Sequence, residues 1–201
     1  ASAHVAYLDM TSAYDSVTWP SLDVAFARIG APESVVEWLR RTLQGHTRRP
    51  TVGSENGATG ATFELHGSIP QGCVSSPVIW CVVYSCAQEY VRQAGAAGYT
   101  VGTATIQQEA YADDTAIVAP SAPELTYTTQ ALADMLTVLA IRLNGKKSFY
   151  CASDGDGIKT IAVWALDGQG KMVKADLTPV PARGEEPRHL EGYESRCGNG
   201  E

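Results

Sequence analysis

The sequence has little positive charge and no long apolar run. Its 201 residues contain 15 Lys and Arg against 22 Asp and Glu, which gives a formal net charge of −7. This balance argues against a protein that binds nucleic acid, or an anionic membrane surface, through a basic patch of its own. The most apolar stretch, residues 74–87, is interrupted by Ser and Pro and falls short of the roughly 18 residues of a membrane span. We therefore expect no membrane association.

The sequence also lacks paired cysteine motifs and an N-terminal export signal. No CxxC pair occurs, so neither a zinc site nor a disulfide framework is indicated. We expect small buried thiols in a reducing, intracellular compartment, nuclear or cytoplasmic. The N-terminus has no basic segment followed by an apolar core. Because the chain does not begin with Met and a strand pattern starts almost at once, we expect it to belong to a longer protein. The five cysteines are Cys73, Cys81, Cys86, Cys151 and Cys197.

The pattern of apolar residues predicts mixed strands and helices in residues 1–177. Its order is β-α-α-ββ-α-ββ-α-β-ββ, which predicts an α+β fold with an antiparallel sheet and helices packed on one face. Residues 178–201 are rich in Pro, Gly and charge, which indicates a linker or the start of a further domain. Strands are predicted at 4–8, 103–110, 115–119, 148–152, 161–165 and 173–177, a hairpin at 47–65 turning at Asn56-Gly57, and helices at 20–29, 32–43, 75–94 and from 121 onward.

Three aspartates stand at predicted strand ends. Asp9 follows the first strand, and Asp113 and Asp114 occupy the turn of a later hairpin with apolar flanks. Unpaired carboxylates are costly to bury, and no Lys or Arg lies nearby in the sequence. A divalent cation is one way to compensate them, because Mg²⁺ prefers carboxylate and phosphate oxygens. An Asp-Asp pair in a solvated turn without a metal ion is the common alternative. The presence of further motifs in the sequence decides between a metal site and such a turn.

Four segments, in order, resemble the palm motifs of reverse transcriptases. The details are most similar to the non-LTR retrotransposon branch. RNA-directed RNA polymerases share the palm but usually carry Gly-Asp-Asp in the third motif. The resemblance covers about residues 4–150, and the segments are 8–17 (LDMTSAYDSV), 69–79 (IPQGCVSSPVI), 111–114 (YADD) and 143–148 (LNGKKS).

The resemblance implies an RNA-directed DNA polymerase, a nucleotidyltransferase that uses two Mg²⁺ ions, with Mn²⁺ as a substitute. Asp9 and Asp113 would hold both ions, with Asp114 as a further or supporting ligand. The backbone carbonyl of Met10 would add an oxygen. Lys147 would approach the pyrophosphate leaving group as a cation or general acid, and its alternative is a solvated lysine.

The resemblance also implies residues that contact the nucleotide. Tyr14 would crowd a ribose 2′-OH and so favour dNTPs, although ordinary core packing is an alternative. Gln71 and Gly72 would line the nucleotide and template, because Gln offers a donor and an acceptor and Gly permits close backbone approach. We expect Asp15 to cap the following helix.

A cluster of basic residues precedes the second motif. In the family this region lies near the template or primer, so the implied partners are an RNA template and a DNA primer. Charges that stabilise a helix C-terminus are an equally good interpretation. The cluster comprises Arg40, Arg41, Arg48 and Arg49.

The chain is thus expected to be a palm whose fingers and thumb belong to a longer parent, residues 178–201 being a linker or the start of the thumb. We expect the chain alone to be inactive or nearly so. Two alternatives stay open. One is an inactive or domesticated palm that serves as a nucleic-acid-binding scaffold, and the other is an RNA-directed RNA polymerase, against which Tyr14 and the YADD turn speak.

Overall fold

A computed structural model describes residues 2–45, 47–49, 51–52, 58–64, 69–153, 161–167 and 169–179. The predicted Asn56-Gly57 turn, the side chain of Arg48, Cys197 and the segment from residue 180 lie outside the described residues. In chain order the elements are β1 (His4–Leu8), β2 (Met10–Thr11), α1 (Ala13–Ser16), α2 (Trp19–Arg28), α3 (Glu33–Leu43), β3 (Thr47–Arg48), β4 (Thr51–Val52), β5 (Ala58–Thr59), β6 (Phe63–Glu64), α4 (Ser76–Gln93), β7 (Tyr99–Val101), β8 (Ala104–Ile106), β9 (Gln108–Tyr111), β10 (Asp114–Ala119), α5 (Ala122–Val138), β11 (Arg142–Leu143), β12 (Phe149–Ala152), β13 (Ile161–Leu166) and β14 (Met172–Pro179).

A six-stranded sheet in the order β13-β14-β12-β1-β10-β9 forms the centre of the fold. Every neighbouring pair in it is antiparallel except β12 and β14, which are parallel. The N-terminal strand β1 lies in the middle, between β10 and β12. The predicted α+β class with a mostly antiparallel sheet is therefore confirmed.

The helices are stacked on the face of the sheet that the buried strand residues define. In β1, His4, Ala6 and Leu8 are buried, whereas Tyr7 is 44% exposed, as expected when alternate side chains point to opposite faces. Helix α5 packs against β1, β10 and β13, α4 packs against α5, and α2 packs against α4. On the other face of β1, Tyr7 stacks on Phe149 of β12 with ring centroids 4.8 Å apart.

Hydroxyl side chains cap the N-termini of two helices. The Ser21 backbone N–H donates to the Thr18 side chain at the start of α2 (3.3 Å), and the Glu124 N–H donates to the Ser121 side chain at the start of α5 (3.4 Å). Both helices carry Pro in their first turn, where its missing N–H costs nothing. No helix among the described residues is long and apolar enough to cross a bilayer.

Several local predictions were wrong. The strand expected at 103–110 is instead the second arm of the β7–β8 hairpin, followed by β9, because the chain reverses at Gly102 with φ of 61°. Strand β14 runs to Pro179, two residues past the predicted boundary. Of the four described cysteines only Cys86 is buried, and Cys81 is exposed, so the expectation of buried thiols holds for one of them.

Candidate active site

The three predicted aspartates come together at one end of two neighbouring strands. Strands β1 and β10 are paired antiparallel with Leu8 opposite Thr115, so Asp9 leaves β1 where Asp114 enters β10. Asp113 occupies the turn between β9 and β10, directly before Asp114. Asp9 and Asp113 are half-buried and Asp114 is exposed. The pairing of β1 with β10 therefore brings together aspartates that are more than a hundred residues apart in the sequence.

The charge around Asp9 and Asp113 is not balanced by side-chain cations of the described residues. The ion pairs within that part of the chain are Arg40–Asp23, Arg41–Glu37 and Arg92–Glu89, all on helices. No group of three or more His, Cys, Asp and Glu side chains there is arranged to hold a metal ion. Two half-buried carboxylates without a cation fit Mg²⁺ chemistry, because this ion commonly takes one or two protein carboxylates and completes its shell with water and substrate phosphates.

The backbone of Asp9 is anchored to the fourth motif. The Asn144 N–H donates to the Asp9 carbonyl (2.8 Å), and the Asp9 N–H donates to the Ser148 hydroxyl (3.1 Å). Strands β2 and β11 extend this contact by pairing Met10 with Leu143. The loop that carries Lys147 is thereby held next to Asp9, and Lys147 itself is exposed. The Met10 side chain is only 3% exposed, so a role in substrate binding would fall to its backbone.

Tyr14 lies close to the turn that carries Asp113. It sits in the single-turn helix α1, and its ring stacks on Trp80 with centroids 5.6 Å apart. Burial raises the pKa of the Tyr14 hydroxyl, and the nearby charge of Asp113 raises it further. The Tyr14 carbonyl accepts the Ile69 N–H (3.2 Å), which joins the first motif to the second. The stacking on Trp80 agrees with the core-packing alternative, and contact of the ring with a ribose 2′-OH stays a prediction.

Gln71 and Gly72 form the exposed turn of the second motif. The Gln71 amide donates to the Asp15 carboxylate (3.3 Å), so the expectation that Asp15 caps the next helix was wrong, because Thr18 takes that position. Gly72 has φ of 85°, and no atom lies within 4 Å of the Cβ that another residue would carry there. The left-handed backbone, and not a close neighbour, therefore explains why glycine occupies position 72.

The basic cluster is largely occupied by partners within the chain. Arg40 forms a bidentate ion pair with Asp23 and lies over the Trp19 ring at 5.8 Å. Arg41 pairs with Glu37 one turn earlier in α3 (2.8 Å). The Arg49 guanidinium donates to the Thr62 hydroxyl (3.1 Å). These contacts favour the interpretation of Arg40 and Arg41 as helix-stabilising charges.

Two aromatic residues of α4 contact the β9–β10 hairpin and were not singled out from the sequence. The Trp80 indole N–H donates to the Ala112 carbonyl (2.7 Å), and the Tyr84 hydroxyl is hydrogen-bonded to the Thr115 hydroxyl. Burial raises the pKa of Tyr84 strongly. Their spacing of four residues indicates only one buried helix face, so the pattern carried no signal for a role at the turn.

Comparison with known proteins agrees with this geometry. Residues 1–178 match the sequence family described as reverse transcriptase (RNA-dependent DNA polymerase). The chain is 25% identical over 190 residues to the retrovirus-related Pol polyprotein from the type-2 retrotransposable element R2DM of Drosophila melanogaster, a match that covers 94% of this chain and 17% of that polyprotein. The chain therefore spans only a small part of the length of this relative.

A solved structure shares the fold. Apo telomerase from Candida tropicalis, truncated from its C-terminal domain, superposes with a TM-score of 0.55 at 14% identity, over 79% of this chain and 32% of that one. This likeness concerns the fold alone. The match over residues 1–178 spans most of the molecule, and the predicted resemblance is confirmed: the chain belongs to the reverse transcriptase (RNA-dependent DNA polymerase) family.

Proposed function

We propose that the chain is the catalytic palm of a non-LTR retrotransposon polymerase that transfers the nucleotidyl group of a dNTP to a primer 3′-OH on an RNA template. Residues 1–177 would form the palm, and 178–201 a linker or the start of a thumb. The proposal is supported most by the convergence of Asp9 and Asp113 at the paired ends of β1 and β10.

The carboxylates of Asp9 and Asp113 would hold two Mg²⁺ ions, or Mn²⁺ in their place, with Asp114 as a supporting ligand. When bound, these ions would neutralise the triphosphate and lower the pKa of the primer hydroxyl. The hydrogen bonds from Asn144 and to Ser148 fix the backbone of Asp9 from both sides. Asp9 would therefore present its carboxylate without having to reorganise when substrate arrives.

The neighbouring residues would select and orient the nucleotide. Tyr14, whose ring stacks on Trp80, would exclude a ribose 2′-OH by steric contact with the Tyr14 ring. Gln71 and Gly72 would line the nucleotide and the template base through exposed polar and backbone groups. Lys147, held near Asp9 by its loop, would donate a proton to the departing pyrophosphate or stabilise its charge.

Nucleic-acid binding would rely on few basic residues of this chain. Arg48 and Arg49 are the members of the basic cluster proposed to contact template or primer phosphates, and Arg40 and Arg41 would act mainly through α3. With a net charge of −7, the chain supplies little electrostatic attraction for a phosphate backbone. Fingers and thumb of the same parent protein are proposed to supply the rest.

Primer extension by the complete reading frame that contains this chain tests the proposal. The wild-type protein should incorporate dNTPs on a primed RNA when Mg²⁺ is present. Asp113→Asn should lower the rate about a thousandfold, because a metal ion contributes several kcal/mol to the transition state and each 1.36 kcal/mol is tenfold. Asp176→Asn is the matched control, since Asp176 is an exposed carboxylate of β14, which β12 separates from β1 in the sheet.

The outcomes separate the alternatives. Preference of the wild-type protein for ribonucleotides would identify an RNA-directed RNA polymerase instead. Nucleic-acid binding without any incorporation would identify a scaffold that has lost catalysis. Equal rates for Asp113→Asn and Asp176→Asn would refute the assignment of the site.

A further inference from the structure

The buried residue Trp80 contacts both the catalytic turn and Tyr14. Its side chain is 1% exposed, and its indole N–H donates to the Ala112 carbonyl at 2.7 Å. The ring stacks on both Tyr14 and Tyr84, with both centroid distances at 5.6 Å. One side chain of α4 therefore joins the residue proposed to discriminate sugars to the turn that carries Asp113.

The turn requires support from outside the hairpin. Ala112 has φ of 55°, a left-handed conformation that residues with a side chain rarely adopt. Its carbonyl accepts the Trp80 indole, and three residues later the Thr115 hydroxyl is bonded to Tyr84. These two contacts bracket the Asp113-Asp114 pair on both sides. Helix α4 thus contacts the chain on either side of these carboxylates, at the Ala112 carbonyl and at the Thr115 hydroxyl.

Tryptophan combines a ring N–H donor with a flat apolar ring, so it makes both contacts from this position. The contact with Ala112 requires an N–H or O–H donor, since a carbonyl only accepts. The contact with Tyr14 requires a flat apolar ring. Phenylalanine would keep the stacking and lose the donor, and leucine would lose both. This difference makes the two contacts separable by substitution.

We propose that Trp80 is a positioning residue that couples the sugar-discriminating ring of Tyr14 to the catalytic turn through its stacking and its hydrogen bond to Ala112. The proposal rests on the proposed polymerase function. It assigns the hydrogen bond to the rate of nucleotide transfer and the ring to the choice between dNTP and rNTP. Neither assignment requires Trp80 to touch the substrate.

Single-nucleotide incorporation by the complete reading frame separates these roles. Trp80→Phe should lower kcat for dNTP about tenfold, leave KM within about twofold and keep the dNTP/rNTP preference within about threefold. Trp80→Leu should lower kcat further and reduce that preference at least about fivefold. A merely structural loss would lower dNTP and rNTP incorporation equally, so the preference distinguishes positioning from general damage.

Trp164→Phe is the matched control. Trp164 lies in the edge strand β13 with its side chain 53% exposed, and it is outside the proposed machinery. Its kcat, KM and sugar preference should stay within about twofold of wild type. A kcat for Trp80→Phe equal to that of Trp164→Phe would overturn the role of the hydrogen bond, and an unchanged preference in Trp80→Leu would overturn the role of the ring.

A measurement without catalysis keeps this proposal distinct from the polymerase assignment. In ¹H–¹⁵N spectra of the chain, the Trp80 indole N–H should exchange slowly and show the small temperature dependence of a hydrogen-bonded proton. The Trp164 indole should exchange rapidly. Rapid exchange of both would refute the Trp80–Ala112 contact, whereas slow exchange in a protein that incorporates no nucleotide would refute the function and leave the contact intact.

Discussion

Replacement of Ser148 by Ala should destabilise the fold, because this hydroxyl connects two motifs that are distant in sequence. Ser148 is fully buried, accepts the Asp9 N–H at 3.1 Å and donates to the Asn144 carbonyl at 2.8 Å. Alanine would leave the Asp9 N–H without its acceptor. Removing one partner of a buried polar group costs about 1–3 kcal/mol, so we expect a loss of about 2 kcal/mol.

Thermal and urea unfolding of the chain measure this loss. In a chain of this size, about 1 kcal/mol shifts the melting temperature by roughly 2–4 °C, so Ser148→Ala should lower it by about 4–8 °C. The matched control is Ser153→Ala. Ser153 also accepts a backbone N–H, that of Ala3 at 2.8 Å, but this bond is exposed. Water can replace its hydroxyl, so the control should stay within about 0.5 kcal/mol of wild type.

A shift in Ser148→Ala no larger than that in Ser153→Ala would refute the reasoning. It would mean that the loop of residues 144–147 is not anchored to Asp9 through this hydroxyl. The Asn144 N–H would still bond to the Asp9 carbonyl in the variant, so the fold should persist and the loss remain measurable.

Three further changes test the charges and the ring near the site. Asp113→Asn should weaken Mn²⁺ binding, measured by electron paramagnetic resonance, at least about tenfold relative to Asp176→Asn. The reason is that loss of a residue that only orients a metal ligand already lowers metal affinity about tenfold or more. Equal Mn²⁺ affinities of the two variants would contradict the metal assignment. Tyr14→Ala should reduce the preference for dNTP over rNTP about tenfold or more in primer extension, the scale of one steric contact in a pocket; an unchanged ratio would exclude the ring as the discriminating group. Hydrogen bonds from Arg92 and Gln93 lower the pKa of Glu89 to about 2 from its ordinary 4.5. The ionised Glu89 carboxylate therefore contributes to folding stability at pH values above its ordinary pKa of 4.5. This contribution decreases as the pH falls from 4.5 toward 2. An NMR titration of Glu89 should find this midpoint, Arg92→Ala should move it upward, and a midpoint near 4.5 in the wild-type chain would refute the ion pair.

The sequence predicts the parts of this fold whose signals are local. Strand β1 occupies the predicted residues 4–8, and α2 and α5 begin within one residue of their predicted starts at 20 and 121, each with Pro in its first turn. The aspartates were located because each directly adjoins a strand. Strands β2 and β11, of two residues each, are too short to show a period, so their pairing next to Asp9 could not be predicted.

Contacts between distant residues account for most of what the sequence did not reveal. The bond between Ser148 and Asp9 spans 139 positions, and the bond between Trp80 and Ala112 spans 32. Neither follows from a local pattern, since Ser148 stands after a turn and Trp80 in an apolar helix. The β7–β8 hairpin was missed for a different reason. One strand was predicted from residue 103 to 110, whereas the left-handed backbone of Gly102 reverses the chain between two strands.

The ion pairs of the described residues lie on helices, away from the strand ends that carry Asp9 and Asp113. In the part of the chain that the structure describes, the paired guanidinium groups belong to α3 and α4, and no ion pair includes Asp9 or Asp113. The carboxylates of Asp9 and Asp113 therefore have no ion-pair partner among the described residues, and the charge of Asp113 adds to burial in raising the pKa of Tyr14. A nucleic acid would meet electrostatic repulsion at this edge until cations occupy it. Binding of a primed RNA should accordingly strengthen with Mg²⁺ at constant ionic strength, and this dependence should be lost in Asp113→Asn, because the substitution removes the charge that both attracts the cation and repels the phosphate backbone.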